Sequence, residues 1–590
     1  MEKLISTFKS IYQRHPFLLV LFISILLTFP WITNSDFYTK GEPREATVAT
    51  YMLNTGNWIL PADYADEFAY KPPFMHWFIA IFSLPQGHVS ETTARLPSAL
   101  GLIGITLLFF AFLYKRKSKT QALIASFIML TSFEMHRSGI EARVDMFLAF
   151  FMIASLISLY KWEEKELKGF PVLIPILLGG AALVKGPVGI ILPCLVFGVY
   201  LILLQRYSIW KIVTKNLIVA VPALAILLTW YYLAYLQGGE HFLKVVYAEN
   251  FGRFFGEDAK TLGISYDLGH KGPFWYYLPA ILLGFMPWSF LLIFSVFTNS
   301  FKSLFKNSRE KLSLFFKQSN TQDKITLFSI VCVVVILGFY TIPLSKRSEY
   351  VMPAYPFAAY LLTLLYEWAI KFKPRLIKIV TYIIMGLSGL ILILTFIFHF
   401  VDLMSVVERF IHDAKTLNDI GFFSNAFQHP PIFAVLLWFL LFAVAATCIF
   451  VLKNFNANLV LWYTFALFLF LQIFLEGFAY PVFKNGYSIR PFAEKIEEKY
   501  NFNENVFVMN DLKDYPNMYE LNFYLGDKFK NFDKVLPSKG YFITGSNSIE
   551  KIRLKYKGKY DFIELDRTAN KFNDFSDVII VYKIVGKGNN

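Results

Sequence analysis

Thirteen apolar stretches, several of them short, divide this 590-residue chain, and they restrict its fold more than any other feature. A helix needs about 20 consecutive apolar residues to cross a bilayer. Only 17% of the residues are charged, against about 25% in soluble domains, so most of the chain cannot face water. The sequence therefore predicts an all-α polytopic membrane protein and excludes a soluble multi-domain enzyme, a collagen-like chain and a disordered chain. The predicted spans lie near 16–32, 93–114, 120–134, 145–160, 170–184, 186–204, 212–236, 274–298, 325–343, 351–370, 376–400, 431–452 and 457–477.

The positions of the basic residues predict how these spans are oriented. With a cytoplasmic N-terminus, nearly every basic cluster that flanks a span falls on the cytoplasmic side, as the positive-inside rule requires. We therefore interpret the net charge of +14 as a topology signal rather than a nucleic-acid-binding surface. An odd number of spans places the C-terminus on the outer side. The clusters lie at 115–119, 161–168, 206–215, 302–317 and 371–378.

The chain is predicted to have two domains. Residues 1–481 form the transmembrane domain, and residues 482–590 have the composition of a soluble domain. Short apolar runs at 506–509 and 578–582 are typical of strands, so we expect a small α/β domain on the outer side. The outer loops of the first domain lie at 34–92, 135–144, 237–273 and 344–350.

The first outer loop contains a predicted amphipathic helix with two carboxylates at its start. Ala46, Ala49, Met52 and Leu53 follow helical spacing, and Gly56 would end the helix. Acidic residues in a first turn can simply complement the helix dipole. They can also perform acid–base chemistry. The candidate residues of this helix are Glu42, Arg44 and Glu45.

Four further cations are predicted on the outer side. Lys71 precedes a proline pair, and Lys185 precedes a Gly-Pro break between two apolar runs. Lys346 and Arg347 form the one basic pair that opposes the positive-inside trend, and phosphate binding would explain that exception. For Lys71 alone, anchoring at the membrane interface is an equal explanation.

Asp145 opens a predicted span, two residues after Arg143. An ionisable residue at the start of an apolar run is a functional candidate, because its burial is costly. The alternative is helix capping, for which aspartate is well suited. The two roles are compatible, since a capping carboxylate can also face a site.

Several motifs at these residues resemble the lipid-linked-sugar glycosyltransferases of the GT-C type, especially the bacterial aminoarabinose transferases and the related protein O-mannosyltransferases. The resemblance is good over about residues 15–370, and the order and spacing of the motifs are more specific than any one of them. The motifs are Gly41-Glu42-Pro43-Arg44-Glu45-Ala46, Gly56-Asn57-Trp58, Tyr70-Lys71-Pro72-Pro73, Thr93-Ala94-Arg95-Leu96-Pro97, Arg143-Val144-Asp145, Leu183-Val184-Lys185-Gly186, Trp275-Tyr276-Tyr277-Leu278-Pro279 and Lys346-Arg347-Ser348-Glu349-Tyr350-Val351-Met352-Pro353.

The resemblance implies an inverting glycosyltransferase of the bacterial inner membrane, with its C-terminal domain in the periplasm. The donor would be a sugar on undecaprenyl phosphate, and the acceptor lipid A or lipopolysaccharide. Glu42, Asp145 and Glu45 would be catalytic, with Arg44 and Arg143 as partners of Glu42 and Asp145. We expect a monomer that binds membrane lipids and no nucleic acid. The expected ligands of the donor's phosphate and sugar are Arg44, Lys71, Arg143, Lys185, Lys346, Arg347 and Tyr350.

The chain departs from the family pattern at two positions. The family's leading aspartate is Gly41, so its acidic role would pass to Glu42, Glu45 or the upstream Asp36. The glutamate that the family uses for a divalent metal is Tyr70, which argues against that cofactor and leaves His270 as the one candidate ligand.

Two alternatives remain for the function. One is protein O-mannosyltransferase-like transfer to a protein acceptor. The other is a non-enzymatic transporter or flippase of lipid-linked glycans, although a secondary transporter is expected to show internal repeats, and none stands out.

Overall fold

A computed structural model describes most residues of the chain. They are 14–38, 41–65, 67–69, 71–252, 271–298, 323–401, 403–411, 414–500, 502, 505–509, 518–568 and 577–587.

The described residues are mainly helical. The helices up to the C-terminal region are α1 Pro16–Thr28, α2 Gly41–Thr55, α3 Phe74–Ser83, α4 Glu91–Tyr114, α5 Lys119–Thr131, α6 Phe133–Ile140, α7 Val144–Glu164, α8 Leu173–Lys185, α9 Val188–Leu204, α10 Ile209–Tyr247, α11 Tyr277–Gly284, α12 Ser289–Val296, α13 Lys324–Thr341, α14 Tyr355–Phe372, α15 Pro374–Phe400, α16 Leu403–Val407, α17 Ala414–Gln428, α18 Ile432–Lys453, α19 Ala457–Phe474 and α20 Tyr480–Gly486.

Each of the thirteen predicted spans coincides with a helix or a pair of helices, and the predicted polytopic helical architecture is confirmed. Among the described residues, seven helices are long and apolar enough to cross a membrane. An eighth span is formed if α11 and α12 count together, although the two are bent by 115°. The other predicted spans fall on α1, α5, α8, α9 and α14, which are shorter or less apolar. The number of full-length spans among the described residues, seven or eight, is therefore lower than the thirteen predicted, because several predicted spans are short or broken helices.

The surface of the membrane helices is suited to lipid. Leu390 and Ile393 on α15, and Leu436 and Phe439 on α18, are all more than half exposed. Large apolar side chains in such numbers are not stable against water, and they fit a hydrocarbon environment. The chain is therefore a multi-pass membrane protein.

The C-terminal region contains a mixed sheet of five strands in the order β4-β3-β5-β7-β6. β3 is parallel to β4 and β5, while β7 is antiparallel to β5 and β6. This α/β region agrees with the predicted fold class. Its elements are α21 Arg490–Tyr500, β3 Val506–Val508, α22 Tyr519–Tyr524, β4 Phe529–Asn531, α23 Phe532–Val535, β5 Lys539–Gly545, α24 Ile549–Lys555, β6 Tyr560–Arg567 and β7 Ile579–Gly586.

The described part of residues 34–92, which the sequence predicts to be the first outer loop, lies between the membrane helices and this C-terminal region. It carries α2 and a short antiparallel pair of strands, β1 Ala62–Tyr64 and β2 Glu67–Phe68. The Tyr64 ring packs in the same apolar cluster as the C-terminal sheet, and its hydroxyl accepts a hydrogen bond from the Met518 N–H at 3.3 Å. At the start of α4, Glu91 accepts a hydrogen bond from the Tyr524 hydroxyl at 2.9 Å. These contacts join the loop and the start of α4 to the C-terminal region.

Candidate active site

Helix α2 presents both predicted carboxylates to the protein interior. Glu42 lies in its first turn, and the helix ends before Gly56, whose φ of 72° allows the chain to turn. Glu42 and Glu45 are buried on the same side as Ala46, Ala49 and Met52. The amphipathic helix predicted from the spacing is therefore present, and its inner face carries charge.

Glu45 is the centre of the first charged cluster. Its carboxylate forms an ion pair with Lys71 and accepts a hydrogen bond from Arg44 at 3.0 Å. Its second oxygen lies 2.7 Å from Nε2 of His76, which is buried on α3. Three nitrogen donors thus surround one carboxylate of which only 5% is exposed.

The pKa values in this cluster follow from burial and charge. Burial alone would raise the pKa of Glu45, but Lys71 and Arg44 hold it well below its usual range, so Glu45 is ionised. Burial lowers the pKa of Lys71 to about 8, although Glu45 acts in the opposite direction. Lys71 is thus a cation that titrates close to physiological pH.

Asp145 and Lys185 form a second ion pair. Asp145 lies in the first turn of α7, and Lys185 is the last residue of α8. Gly186 ends α8 with a φ of 83°, and a Cβ at this position would lie 2.7 Å from the side-chain oxygen of Asn250. The Gly-Pro break predicted from the sequence therefore directs Lys185 towards Asp145. The Lys185 ammonium also lies 4.0 Å from the centre of the Tyr350 ring.

The two pairs belong to one site. Asp145 lies close enough to Lys71 to favour its charged form, and Arg347 lies within electrostatic range of Asp145. Arg347 is partly exposed, and its guanidinium forms no ion pair with any residue that the structure describes. The structure therefore brings together Glu45, Lys71, Asp145, Lys185, Arg347 and Tyr350, all of them predicted from the sequence.

Glu42 has a different partner from the one predicted. Its carboxylate accepts hydrogen bonds from Arg95 at 2.7 and 3.1 Å, and from the Ala142 N–H at 2.9 Å. Arg95 is 1% exposed and also donates to the carbonyls of Ile32 and Ser35. The expected pairing of Glu42 with Arg44 is wrong, because the side chain of Arg44 turns to Glu45. Glu42 instead connects α2, α4 and the start of α7.

Arg143 likewise pairs with other residues than Asp145. It donates to Glu141 at 2.8 Å and lies 3.6 Å from Glu349. These carboxylates outweigh the effect of burial and raise the pKa of Arg143. Burial alone would raise the pKa of Glu141, but Arg143, Lys484 and Arg137 lower it to about 2. The expected pairing of Arg143 with Asp145 is therefore corrected. Arg143 ties the start of α7 to the segment that carries Arg347 and Tyr350.

Lys346 is occupied by the backbone. Its ammonium donates to the carbonyls of Thr341 and Pro343, both at 2.7 Å, and the residue is 4% exposed. The last carbonyls of a helix lack intrahelical partners, so a cation there stabilises the end of α13. The prediction that Lys346 faces a ligand phosphate does not agree with this geometry.

The described residues do not fit a divalent metal. His270 and Tyr70 lie outside them, and no group of three or more His, Cys, Asp or Glu side chains within them is arranged to hold an ion. The nearest donor set, Glu45 with His76, already faces Lys71 and Arg44. A metal would have to displace these cations in order to bind there.

Sequence reasoning missed four residues that complete the site: His76, Arg95, Glu141 and Glu349. Arg95 occurs within a motif shared with the family, and an arginine inside an apolar span is itself a signal of burial and pairing. Asp36, a proposed substitute for the lost aspartate, pairs instead with Arg490 of the C-terminal region at 3.2 Å.

Comparison with known proteins supports a common family. A sequence profile described as dolichyl-phosphate-mannose-protein mannosyltransferase matches residues 70–232. The undecaprenyl phosphate-alpha-4-amino-4-deoxy-L-arabinose arabinosyl transferase 2 of Proteus mirabilis is 25% identical over 387 residues, which cover 64% of this chain and 64% of that protein. An uncharacterized protein of Aquifex aeolicus is 31% identical over 57% of this chain and 74% of its own length. The chain thus spans less than two thirds of the curated transferase.

The same relationship is visible in the fold. The crystal structure of ArnT from Cupriavidus metallidurans, bound to undecaprenyl phosphate, superimposes with a TM-score of 0.66 over 96% of this chain and 97% of that chain, at 16% sequence identity. At this identity the superposition compares folds alone, and it extends over the membrane helices and the C-terminal region. In sequence and in fold, the chain is therefore similar to the aminoarabinose transferases among the GT-C membrane glycosyltransferases.

Proposed function

We propose that the protein transfers a sugar from undecaprenyl phosphate to an acceptor at the periplasmic face of the bacterial inner membrane. The observation that carries the proposal is the group of three cations, Lys71, Lys185 and Arg347, around Asp145 at one end of the membrane helices. Burying charged side chains in a membrane protein is costly, and such residues therefore indicate a functional site. The phosphate of a lipid-linked sugar is an anion that lies at the membrane surface, where it could bind these cations. The Proteus relative is named for an undecaprenyl phosphate-linked sugar, and the Cupriavidus structure holds undecaprenyl phosphate.

The geometry suits a single displacement at the anomeric carbon. An oxygen of the acceptor forms the new bond to that carbon while the bond to the phosphate oxygen breaks, which inverts the configuration. The leaving phosphate takes the electron pair, and Lys71, Lys185 and Arg347 stabilise its growing charge. Arg347 has no carboxylate partner among the described residues, so its guanidinium is available to a phosphate without breaking an ion pair.

The carboxylates have separate roles in this proposal. Asp145 and Glu45 hold the Lys185 and Lys71 ammonium groups in place before the donor binds. If the acceptor is a hydroxyl group, Asp145 is the carboxylate placed to accept its proton, because Glu45 is enclosed by three nitrogen donors. Glu42, paired with Arg95, is a positioning residue.

The acceptor is proposed to be lipid A or lipopolysaccharide. Its phosphate groups are already ionised, so transfer to a phosphate oxygen would need no base. Transfer to a protein is the second candidate, favoured by the match of residues 70–232 to a protein mannosyltransferase profile.

Mass spectrometry of lipid A and total glycolipids tests both the reaction and the acceptor. Cells that lack the gene would be complemented with the wild type, with Asp145→Asn or with Lys371→Gln, a control at the other end of the helices. We expect one sugar-sized mass to be lost in the deletion and with Asp145→Asn, and restored by the wild type and the control. If lipid A were unchanged and a protein lost its glycan, the acceptor would be a protein and not lipid A. Full restoration of this mass by Asp145→Asn would contradict the role of Asp145 in the proposed site.

A further inference from the structure

A basic cavity lies at the other end of α7 and α8 from the candidate active site. Its volume is about 550 Å³, and it is formed by the loop between α7 and α8 and by the start of α10. Helix α7 has 21 residues, and at 1.5 Å per residue its two ends are about 31 Å apart. The cavity therefore opens at the opposite membrane face, and the proposed transfer does not use it. Its charged lining residues are Glu166, Lys168, Arg206, Lys211 and Lys215.

Four cations and one carboxylate line this cavity, so its lining carries a net positive charge. Glu166 is paired with Lys168 at 2.6 Å. Within the described part of the chain, Lys211 and Lys215 pair with no carboxylate. The Lys211 ammonium lies 4.7 Å from the centre of the Tyr207 ring, and Lys215 donates to the Leu167 carbonyl at 2.9 Å. The positive end of the α10 dipole adds to their field, because both lysines lie in its first two turns.

The positive-inside rule alone does not explain this arrangement. It requires lysines near the cytoplasmic ends of spans, but it does not require them to line a cavity. Lys371 and Lys378, which are predicted on the same face, do not line the cavity. The positions of Lys211 and Lys215 in the cavity lining are therefore those expected of an anion-binding site.

The surface beside the cavity indicates what occupies it. Helices α8 and α10 pack against each other, and near the cavity they expose Leu173, Ile176, Trp210 and Val213. Trp210 is 77% exposed, and tryptophan is typical of the lipid–water interface. An occupant with a phosphate in the cavity could thus place its acyl chains on apolar helix surface.

We propose that this cavity binds the phosphate headgroup of an anionic phospholipid from the adjacent leaflet. Basic pockets between membrane helices on the cytoplasmic side are suited to such headgroups. The cavity would recognise a negatively charged phosphate group, which a phospholipid headgroup and a free phosphate ion both provide. The lipid is favoured as the source because the cavity adjoins the lipid-facing surface. This binding is independent of the proposed transfer.

Native mass spectrometry of the full chain in detergent tests the proposal. The protein would be titrated with dioctanoyl phosphatidylglycerol and, separately, with zwitterionic dioctanoyl phosphatidylcholine. We expect one site at which phosphatidylglycerol binds at least about tenfold more tightly. Each lysine near an anionic headgroup contributes about fivefold in affinity, so Lys211→Gln with Lys215→Gln should weaken binding by about tenfold or more.

Matched variants separate a lost site from a damaged protein. Lys211→Arg with Lys215→Arg keeps the charge and should keep the affinity within about threefold, since arginine also binds phosphate. Lys371→Gln with Lys378→Gln removes the same charge elsewhere on this face and should have no effect. Equal affinity for the two lipids, or unchanged affinity in the double glutamine variant, would overturn the proposal. Displacement of the lipid by millimolar inorganic phosphate would overturn the lipid as the source and assign the cavity to the free ion.

Discussion

The ammonium of Lys185 lies 4.0 Å from the centre of the Tyr350 ring and forms an ion pair with Asp145. The ring and the carboxylate therefore both help to hold the ammonium group of Lys185 in place. Because the attraction comes from the face of the ring, it needs no hydroxyl group. Two substitutions of Tyr350 separate the ring from the hydroxyl group.

Tyr350→Phe should retain donor affinity within about threefold, whereas Tyr350→Ala should lower it by about tenfold, as expected for loss of a partly desolvated cation–π contact. The measurement is the Kd of undecaprenyl phosphate, the lipid-phosphate part of the donor, for the purified protein, with circular dichroism as a check on folding. Equal losses in both variants would show that the hydroxyl group contacts the donor and that the ring does not position Lys185.

Binding of the donor's lipid-phosphate part, undecaprenyl phosphate, should weaken as the pH rises through about 8. The pKa of Lys71 is lowered to about 8 by burial, so its ammonium is charged below that pH and neutral above it. A phosphate is attracted only by the charged form, and the Kd for undecaprenyl phosphate should therefore increase between pH 7 and pH 9. Lys71→Arg stays charged throughout this range and should remove the inflection. An inflection that persists in Lys71→Arg would assign it to another group.

Most of the fold could be predicted because it depends on local sequence, whereas the two expected ion pairs, Glu42 with Arg44 and Asp145 with Arg143, are not the ones formed. Apolar stretches indicate helices, and the Gly186-Pro187 break correctly places Lys185 at the end of α8. Partners such as Glu42 and Arg95 are 53 residues apart, and their pairing depends on how α2 packs against α4. Lys346 shows the same limit, since the sequence marks its charge as an exception to the positive-inside trend but does not reveal that it binds the end of α13.

Loss of either member of the Glu42–Arg95 pair should destabilise the protein rather than alter its chemistry. The two side chains are 2% and 1% exposed, and removal of one partner leaves a buried charge without compensation. For such pairs the cost is about 3–5 kcal/mol. Glu42→Gln and Arg95→Met should therefore lower the Tm and the yield, while the KM of the folded fraction for donor stays unchanged. A normal Tm with a large loss of kcat would instead make Glu42 catalytic.

His76 should control the activity through Glu45. Its Nε2 lies 2.7 Å from Glu45, while Nδ1 is buried without a hydrogen-bond partner among the described residues. His76→Gln can keep a donor towards Glu45 and should reduce kcat/KM by less than about fivefold. His76→Ala leaves one oxygen of the buried carboxylate without its partner, which typically costs about 1–3 kcal/mol. We expect a loss of about tenfold or more in kcat/KM for His76→Ala, with a shifted pH profile, because Lys71 shares the same carboxylate. Identical pH profiles in both variants and the wild type would limit His76 to packing.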